Sequence, residues 1–216
     1  MRNGVAALVL VLSALAAAEE ATGPVVADFD KDNVGNAPEG FSFGRTGQGP
    51  DGSWIVQAAE GAPSGANVLA QTSTDDTDRR FPVAVWAGGS WKDLAVAVKF
   101  RPVSGEADQA GGVVLRYTDA DNYYVARANA IEGNCRFYFV KDGERRQLGT
   151  ADVAIEAGKW HALKVEAKGS HFTVWVDGKE LFQLDDKTFA GAGNAGLWTK
   201  SDSVTQFDDL TIEELK

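Results

Sequence analysis

GKWHALKVEAKGSHFTVWVDGKELFQ, residues 158–183, alternates apolar and polar side chains with a period of two. His161, Leu163, Val165 and Ala167 fall on one side and Lys164 and Glu166 on the other. Past Gly169, Phe172, Val174 and Val176 oppose Thr173 and Trp175. That is the period of a strand with one buried face, because successive side chains of extended backbone point to opposite sides. Asp177-Gly178 supplies the positive backbone angles of a tight hairpin. The stretch reads as sheet-core strands joined by short turns.

The same alternation recurs outward. LAVAVKF, residues 94–100, sets Leu94, Val96, Val98 and Phe100 against Ala95, Ala97 and Lys99, and Asp142-Gly143 marks a second hairpin. Helical periodicity is almost absent, and most of the 24 glycines punctuate alternating runs. An all-β chain of many short strands is expected to form a two-sheet antiparallel β-sandwich. The segment from Asp30 to Gly65, rich in Gly, Pro, Asn and Asp, reads as mostly loop with a short strand around Trp54 to Gln57. Residues 71–80, QTSTDDTDRR, read as a solvated loop. ADF at 27–29 and QFDDLTIEEL at 206–215 are expected to pair and join the two ends of the domain.

Met1 and Arg2 precede an apolar run from Val5 to Leu15, broken by Ser13, and then Ala16-Ala17-Ala18 before Glu19. This is the pattern of a signal peptide over residues 1–18, cut after Ala18. The run is shorter than the roughly 20 residues that span a bilayer, and no later segment approaches that length. A periplasmic or secreted protein is expected, with one domain over residues 19–216. Cys135 is the only cysteine, so no intrachain disulfide can form, and it reads as a small buried hydrophobe. The formal charge of −10 disfavours nonspecific binding to nucleic acid or to anionic membranes.

Gly158-Lys159-Trp160-His161, leading through a glycine turn into a strand that ends Val176-Asp177-Gly178, resembles the core of the concanavalin A-like lectin/glucanase superfamily in its laminin G-like form. GGVVLRYTDADNYYVARAN (111–129), FYFVKDGERRQL (137–148) and AGLWTKSDSVTQFDDLTI (195–212) are similar to further pieces of it, in the expected order. Within that superfamily the chain resembles the exported bacterial single-domain family named for 3-keto-disaccharide hydrolases, often labelled glucanase-like. The resemblance implies a jelly roll whose concave face commonly takes carbohydrate. Its members include lectins, hydrolases and adhesion modules, so the fold does not choose among them.

LRYTDADNYYVARANA, residues 115–130, carries the most informative polar groups. Alternation puts Val114 and Arg116 on one side of their strand, opposite Val113, Leu115 and Tyr117. In the next strand Tyr123, Val125, Arg127 and Asn129 share a side. If the two arginines face the same way across the Asp119–Asn122 turn, they form one polar stripe on the concave surface, with Val125 as its floor. Guanidinium groups offer fixed forks of donors for sugar hydroxyls or a carboxylate, and Asn129 both donates and accepts. Pairing with acids such as Glu166 or Asp202 is the structural alternative for these arginines. A second cluster comes from Trp198 and Lys200, opposite Leu197 and Thr199, followed by Asp202 and Ser203. Trp198 would stack on a sugar ring while Lys200 and Asp202 address hydroxyls; as an alternative, Trp198 is a core aromatic. Trp86 and Trp91 are further aromatic candidates.

Glycoside hydrolysis usually needs two carboxyl groups flanking the bond. The nearest echo of a Glu-x-Asp-x-x-Glu strand is Glu106-Ala107-Asp108, followed by Gly111 where a second glutamate belongs, which argues against that type of glucanase. Elimination from a 3-keto-glycoside would instead need a base, for which Asp121, Asp202 and His161 are candidates, and a cation to steady the enolate, for which Arg116 or Arg127 would serve. Zinc spacings, a phosphate loop and a nucleophile elbow are absent. A structural calcium is the one cofactor left open, with Asp28, Asp30, Asp208 and Asp209 as ligand candidates. The expectation is an exported protein that recognises an oligo- or polysaccharide through Arg116, Arg127, Asn129, Tyr123, Trp198, Lys200 and Asp202. A glycoside hydrolase or lyase-type enzyme acting on 3-keto-glycosides at the same face is the alternative. An adhesion module binding envelope proteins is the third reading, and a large exposed apolar patch would be its sign.

Overall fold

The computed structural model describes residues 23–216, so the expected signal peptide and its cut lie outside the described residues. The chain runs through β1 (Val25–Ala27), β2 (Phe41–Gly47), β3 (Trp54–Ala58), β4 (Asn67–Gln71), β5 (Arg80–Trp86), β6 (Leu94–Ser104), β7 (Ala110–Asp119) and β8 (Asn122–Asn129). It continues through β9 (Asn134–Lys141), β10 (Glu144–Asp152), β11 (His161–Lys168), β12 (His171–Val176), β13 (Lys179–Asp185), β14 (Asn194–Trp198) and β15 (Val204–Glu214). A front sheet has the order β10-β9-β8-β7-β14-β5-β2, and a back sheet the order β13-β12-β11-β6-β15-β4-β3, with β1 added against β15.

The alternation of residues 158–183 does what it predicts. Leu163 lies opposite Val98 on one side and Val176 on the other, so the apolar faces of β6, β11 and β12 are in phase. They pack onto Val113, Leu115, Tyr124, Ala126, Phe137 and Leu197 of the front sheet. Burying an aliphatic or aromatic side chain of this kind contributes about 1.5–3 kcal/mol. Packing therefore carries the stability, for Cys135 is a buried free thiol. The chain ends pair as expected, with Val25 opposite Ile212 and Ala27 opposite Leu210, while Phe29 leaves the strand at a φ of 60° and enters the core.

Two readings need correction. The stretch 71–80 is solvated only between its ends, for Gln71 closes β4 and Arg80 opens β5, and both are fully buried. The Asp30–Gly65 segment holds a second strand, β2, along the edge of the front sheet. Its FSFGRTG sequence alternates aromatic with small residues, and most of it stays half-exposed or exposed. An edge strand with so little burial leaves only a weak period to read.

The front sheet curls. From β10 to β5 is five strand spacings, about 24 Å in a flat sheet, yet the Arg145 guanidinium of β10 sits 4.5 Å from the Phe81 ring centroid of β5. Thr46 of β2 likewise meets the Tyr123 hydroxyl of β8 at 2.6 Å, across four spacings or about 19 Å of flat sheet. Both contacts form over the outer surface, so that surface is concave. Arg79, just before β5, closes the mouth by pairing with Glu144 at 2.7 Å. On the flank of the sandwich β10 approaches β13 so closely that a Cβ on Gly149 would come within 2.8 Å of Phe182.

Asp208 of β15 is fully buried and accepts hydrogen bonds from the Ser64 and Asp209 amides at 3.0 and 2.8 Å. Burial nonetheless pushes its carboxyl from 3.8 to about 6. Because the folded value is the higher, the fold favours the protonated form, and this contribution to stability is lost as pH rises from about 4 through about 6. Asp208→Asn should therefore gain in thermal midpoint relative to the parent protein across that window and hold a constant difference above it. Unfolding scans at stepped pH would show this, and a constant difference throughout would refute it.

Candidate functional site

The two arginines that define the expected polar stripe do not share a face. Pairing of β7 with β8 jumps from Leu115–Tyr124 to Asp119–Asn122, and with β14 from Val114–Gly196 to Tyr117–Asn194. This is a β-bulge, with Arg116 at a φ of 49°. Gly193 makes room, since a Cβ there would lie 2.4 Å from the Arg116 carbonyl carbon. Past the bulge the parity inverts. Tyr117 joins Tyr123 on the concave surface at 5.5 Å. Arg116 turns to the opposite side, above the Phe172 ring of the back sheet. There its guanidinium donates to the carbonyls of Lys92 (2.8 Å), Phe189 (2.8 Å) and Gly169 (2.6 Å) and lies 3.6 Å from Asp93. Its donors are committed to tying three loops to the sheet.

Arg127 and Asn129 do stand on the concave surface, at the centre of a connected polar cluster. Arg127 is 2% exposed and donates to Asn134 Oδ1 at 2.6 Å, to Glu132 Oε2 at 2.9 Å and to the Tyr138 hydroxyl at 3.4 Å. Arg136, directly opposite it on β9, shares the same Glu132 oxygen at 2.9 Å. Burial acts to raise the Glu132 carboxyl, but Arg127, Asn134 and Arg136 together outweigh it and hold the group below its ordinary value. Asn129 donates to Asp108 Oδ1 at 2.6 Å, and Lys200 donates to the other oxygen of the same carboxylate. Burial pushes the Asp108 carboxyl up even with the Lys200 ammonium beside it.

The trough beside this cluster is apolar. Phe81, Val83, Val114, Tyr123, Val125, Tyr138 and Trp198 form a second core under the concave surface. Trp198 faces the side alternation assigns it, but its ring is fully buried, stacked on Phe81 at 5.5 Å and 16°. Tyr123 is also fully buried, with its hydroxyl pushed up to about 12, chiefly by burial. Both are floor residues. Arg145 lies over that floor, 4.4 Å from the Tyr138 centroid, 4.5 Å from Phe81 and 5.9 Å from Trp198.

The other candidates lie elsewhere. Asp202 places its carboxylate under three consecutive amides, those of Glu106 (2.6 Å), Ala107 (3.0 Å) and Asp108 (2.9 Å). It positions Asp108 rather than opening to the trough. Asp121 is exposed in the β7–β8 turn. His161 belongs to the back sheet, held between Asp177 at 2.8 Å and the Glu156 amide at 3.0 Å. Trp86 and Trp91 pack against the edge of the main core. Asp30 accepts the Ala66 and Asn67 amides, and Asp28 accepts the Asp30 amide. Asp208 is engaged by Ser64 and the Asp209 amide, and among the described residues no group of three or more His, Cys, Asp or Glu side chains is placed to hold a metal ion.

Asp108, Glu132, Asn134, Arg136, Tyr138 and Arg145 were not among the candidates, yet the signal for most of them was present. Cys135, Phe137 and Phe139 alternate with Arg136, Tyr138 and Val140, and the Asp142-Gly143 hairpin sets Arg145 opposite Val140. Carrying alternation one hairpin further reaches the arginines that face Arg127. Asp108 and Glu132 sit in loops, where no period speaks for them.

Residues 35–213 match the family model of the 3-keto-alpha-glucoside-1,2-lyase-like domain. Over 111 residues, half of this chain and 16% of the other, the chain is 26% identical to the levanase of Bacillus subtilis (strain 168). It thus spans a small part of that enzyme's length. Among solved structures, the carbohydrate binding module CBM66 from Bacillus subtilis superposes with a TM-score of 0.64 at 22% identity, covering 81% of this chain and 96% of that one. A mutant of the GH43 protein BlXynB from Bacillus licheniformis gives a TM-score of 0.58 at 16% identity, covering 88% of this chain and 39% of that one. At such identities these two likenesses establish the shared jelly-roll fold.

Replacing Arg116 by Met would keep its bulk and leave three carbonyls without donors. We expect a loss of roughly 3 kcal/mol or more in unfolding free energy. Chemical denaturation measures this directly, and a change within error would show that the carbonyls find other partners.

Proposed function

Because the chain belongs to the family of 3-keto-alpha-glucoside-1,2-lyase-like domains, we propose that it is an exported protein that binds a saccharide on the concave surface of its front sheet. The observation that carries this reading is the Arg127 cluster. A sugar presents adjacent hydroxyls, each able to donate and accept. The cluster sets donors on Arg127, Asn129, Asn134, Arg136 and Lys200 beside acceptors on Asp108 and Glu132. These groups are held by one another before any ligand arrives, which lowers the ordering cost of binding. Glu132, Arg136 and Lys200, with side chains 20–32% exposed, form the accessible rim. The carbohydrate-binding module with the same fold and the partial likeness to a levanase support the ligand class. The leader pattern at residues 1–18 supports export.

A second reading has one specific observation in its favour. Asp108 is a buried carboxylate of raised proton affinity, fixed by Asn129, Lys200 and the Asp202-held loop. In a 3-keto-glycoside such a group would take the proton from carbon 2, beside the ketone, while a neighbouring cation steadies the enolate. The enolate then returns to the ketone as a carbon 1–carbon 2 double bond forms and the carbon 1–oxygen bond breaks, and the departing oxygen takes up the proton that the carboxylate had removed.

The two readings separate in one set of measurements. Arg136→Ala changes a rim residue and should weaken binding of an array-identified glycan about tenfold, as for the loss of a charge-assisted hydrogen bond. Its thermal midpoint should stay unchanged. Turnover of a 3-keto-glucoside that vanishes in Asp108→Asn while binding persists would establish the lyase. A folded protein silent across glycans would end the saccharide reading.

A further inference from the structure

The cluster holds four cations, Arg127, Arg136, Arg145 and Lys200, against the carboxylates of Asp108 and Glu132 and that of Asp202 behind Asp108, so the cations outnumber the acids by one. The neighbouring Arg79–Glu144 pair is neutral and leaves the balance unaltered. A patch of net positive charge therefore lies on the concave surface of a chain whose formal charge is −10. Two of its donors are also unsatisfied. Arg127 Nε and Arg145 Nη1 are buried with no hydrogen-bond partner among the described residues. Both guanidinium groups converge on Tyr138, Arg127 at the hydroxyl and Arg145 over the ring face. Arg145 itself has aromatic rings on the Phe81 and Tyr138 sides and no carboxylate among its contacts.

A buried cationic donor without a partner costs far more than one bonded to an anion. Aromatic faces return only part of that, on the order of 1–2 kcal/mol. Arg80 and Arg116, both fully buried, give each guanidinium nitrogen to a carbonyl or hydroxyl. Arg45 Nε, the other buried guanidinium nitrogen without a hydrogen bond among the described residues, has the Asp51 carboxylate 3.4 Å away. The contrast marks the Arg127–Arg145 pair as built for something that arrives from outside.

We propose that the concave surface selects a saccharide carrying an oxyanion, either a carboxylate or a sulfate ester, which is met by the free donors of Arg145 and Arg127. This rests on the saccharide reading above and adds the charge of the ligand to it. The hydroxyls of the same sugar engage the exposed rim of the cluster, Glu132, Arg136 and Lys200, and the oxyanion lies toward Tyr138 and Arg145. Entry requires Arg145 to shift along the ring faces, a movement that cation–π contact permits because it is not directional in the way a hydrogen bond is.

The test uses two matched pairs with the purified protein in a titration calorimeter: oligogalacturonate against its methyl ester, and a sulfated galactan against its desulfated form. The acidic member of one pair should bind at least about tenfold tighter than its neutral partner, with the advantage shrinking as salt is added. The pair that shows it identifies carboxylate or sulfate. Arg145→Met should abolish the preference and Arg145→Lys should restore part of it, which separates loss of charge from loss of folding. Equal or tighter binding of the neutral members, or a preference that survives in Arg145→Met, overturns the inference. So does a neutral glycan bound on an array while both acidic probes fail, and in that case the saccharide reading stands. If no glycan of any charge binds, both fall together.

Discussion

Burying Arg127 at the centre of a β-sheet sets a requirement that the surrounding residues meet one by one. A guanidinium removed from water must find acceptors or it does not stay there. Asn134 and Glu132 supply them from the turn that follows, and Glu132 is held charged by a second arginine across the strand pair. Asn129, one step further along β8, ties the system to Asp108, which Asp202 fixes through its loop and Lys200 neutralises. Remove the first arginine and the others lose their reason for lying where they do. The concave surface is an interdependent polar lattice set beside an apolar floor, so its geometry follows from satisfaction of buried charge as much as from strand pairing.

Much of this was legible in the sequence because the period of two is unforgiving. The faces of β6, β11 and β12, the side taken by Trp198, and the placement of Arg127 with Val125 and Tyr123 all follow from counting. Asp-Gly hairpins then fix register, which is why Arg136 and Arg145 were within reach. Counting failed at Arg116, where an arginine occupies a left-handed backbone position that composition would assign to glycine. One extra residue inverted the parity beyond it and exchanged Arg116 for Tyr117 on the concave surface. The true enabling residue is Gly193, distant in sequence and close in space. Trp198 shows a different limit: alternation gives the side of a sheet but does not reveal that the sheet curls until its own far edge covers that side.

The family assignment and the geometry bear on function in different ways. Membership in the 3-keto-alpha-glucoside-1,2-lyase-like family covers nearly the whole described chain and identifies the kind of domain this is. The jelly roll it shares with a carbohydrate-binding module supports both binding proteins and enzymes, so the choice between them rests on particular side chains. Here Asp108, the buried carboxylate held by Asn129 and Lys200, was visible in the sequence only as a fragment of a motif it does not complete. Its surroundings give it interest: a lysine, an asparagine and a loop clamped by a second acid.

The close approach of β10 to β13 at Gly149 has a consequence for the molecule in a crowded solution. An open sheet ends in a row of unpaired amides and carbonyls that can template the strand of another molecule. β10 and β13 are such ends, one from each sheet. Where they lean together, Phe182 and Leu184 crowd the glycine and the two ends shield one another, while a register slip in β10 between Gln147 and Gly149 breaks the regular spacing that an incoming strand would need. Along that flank side-chain packing covers the two edges without joining them by hydrogen bonds, and a side chain at position 149 would push them apart and expose two templates at once.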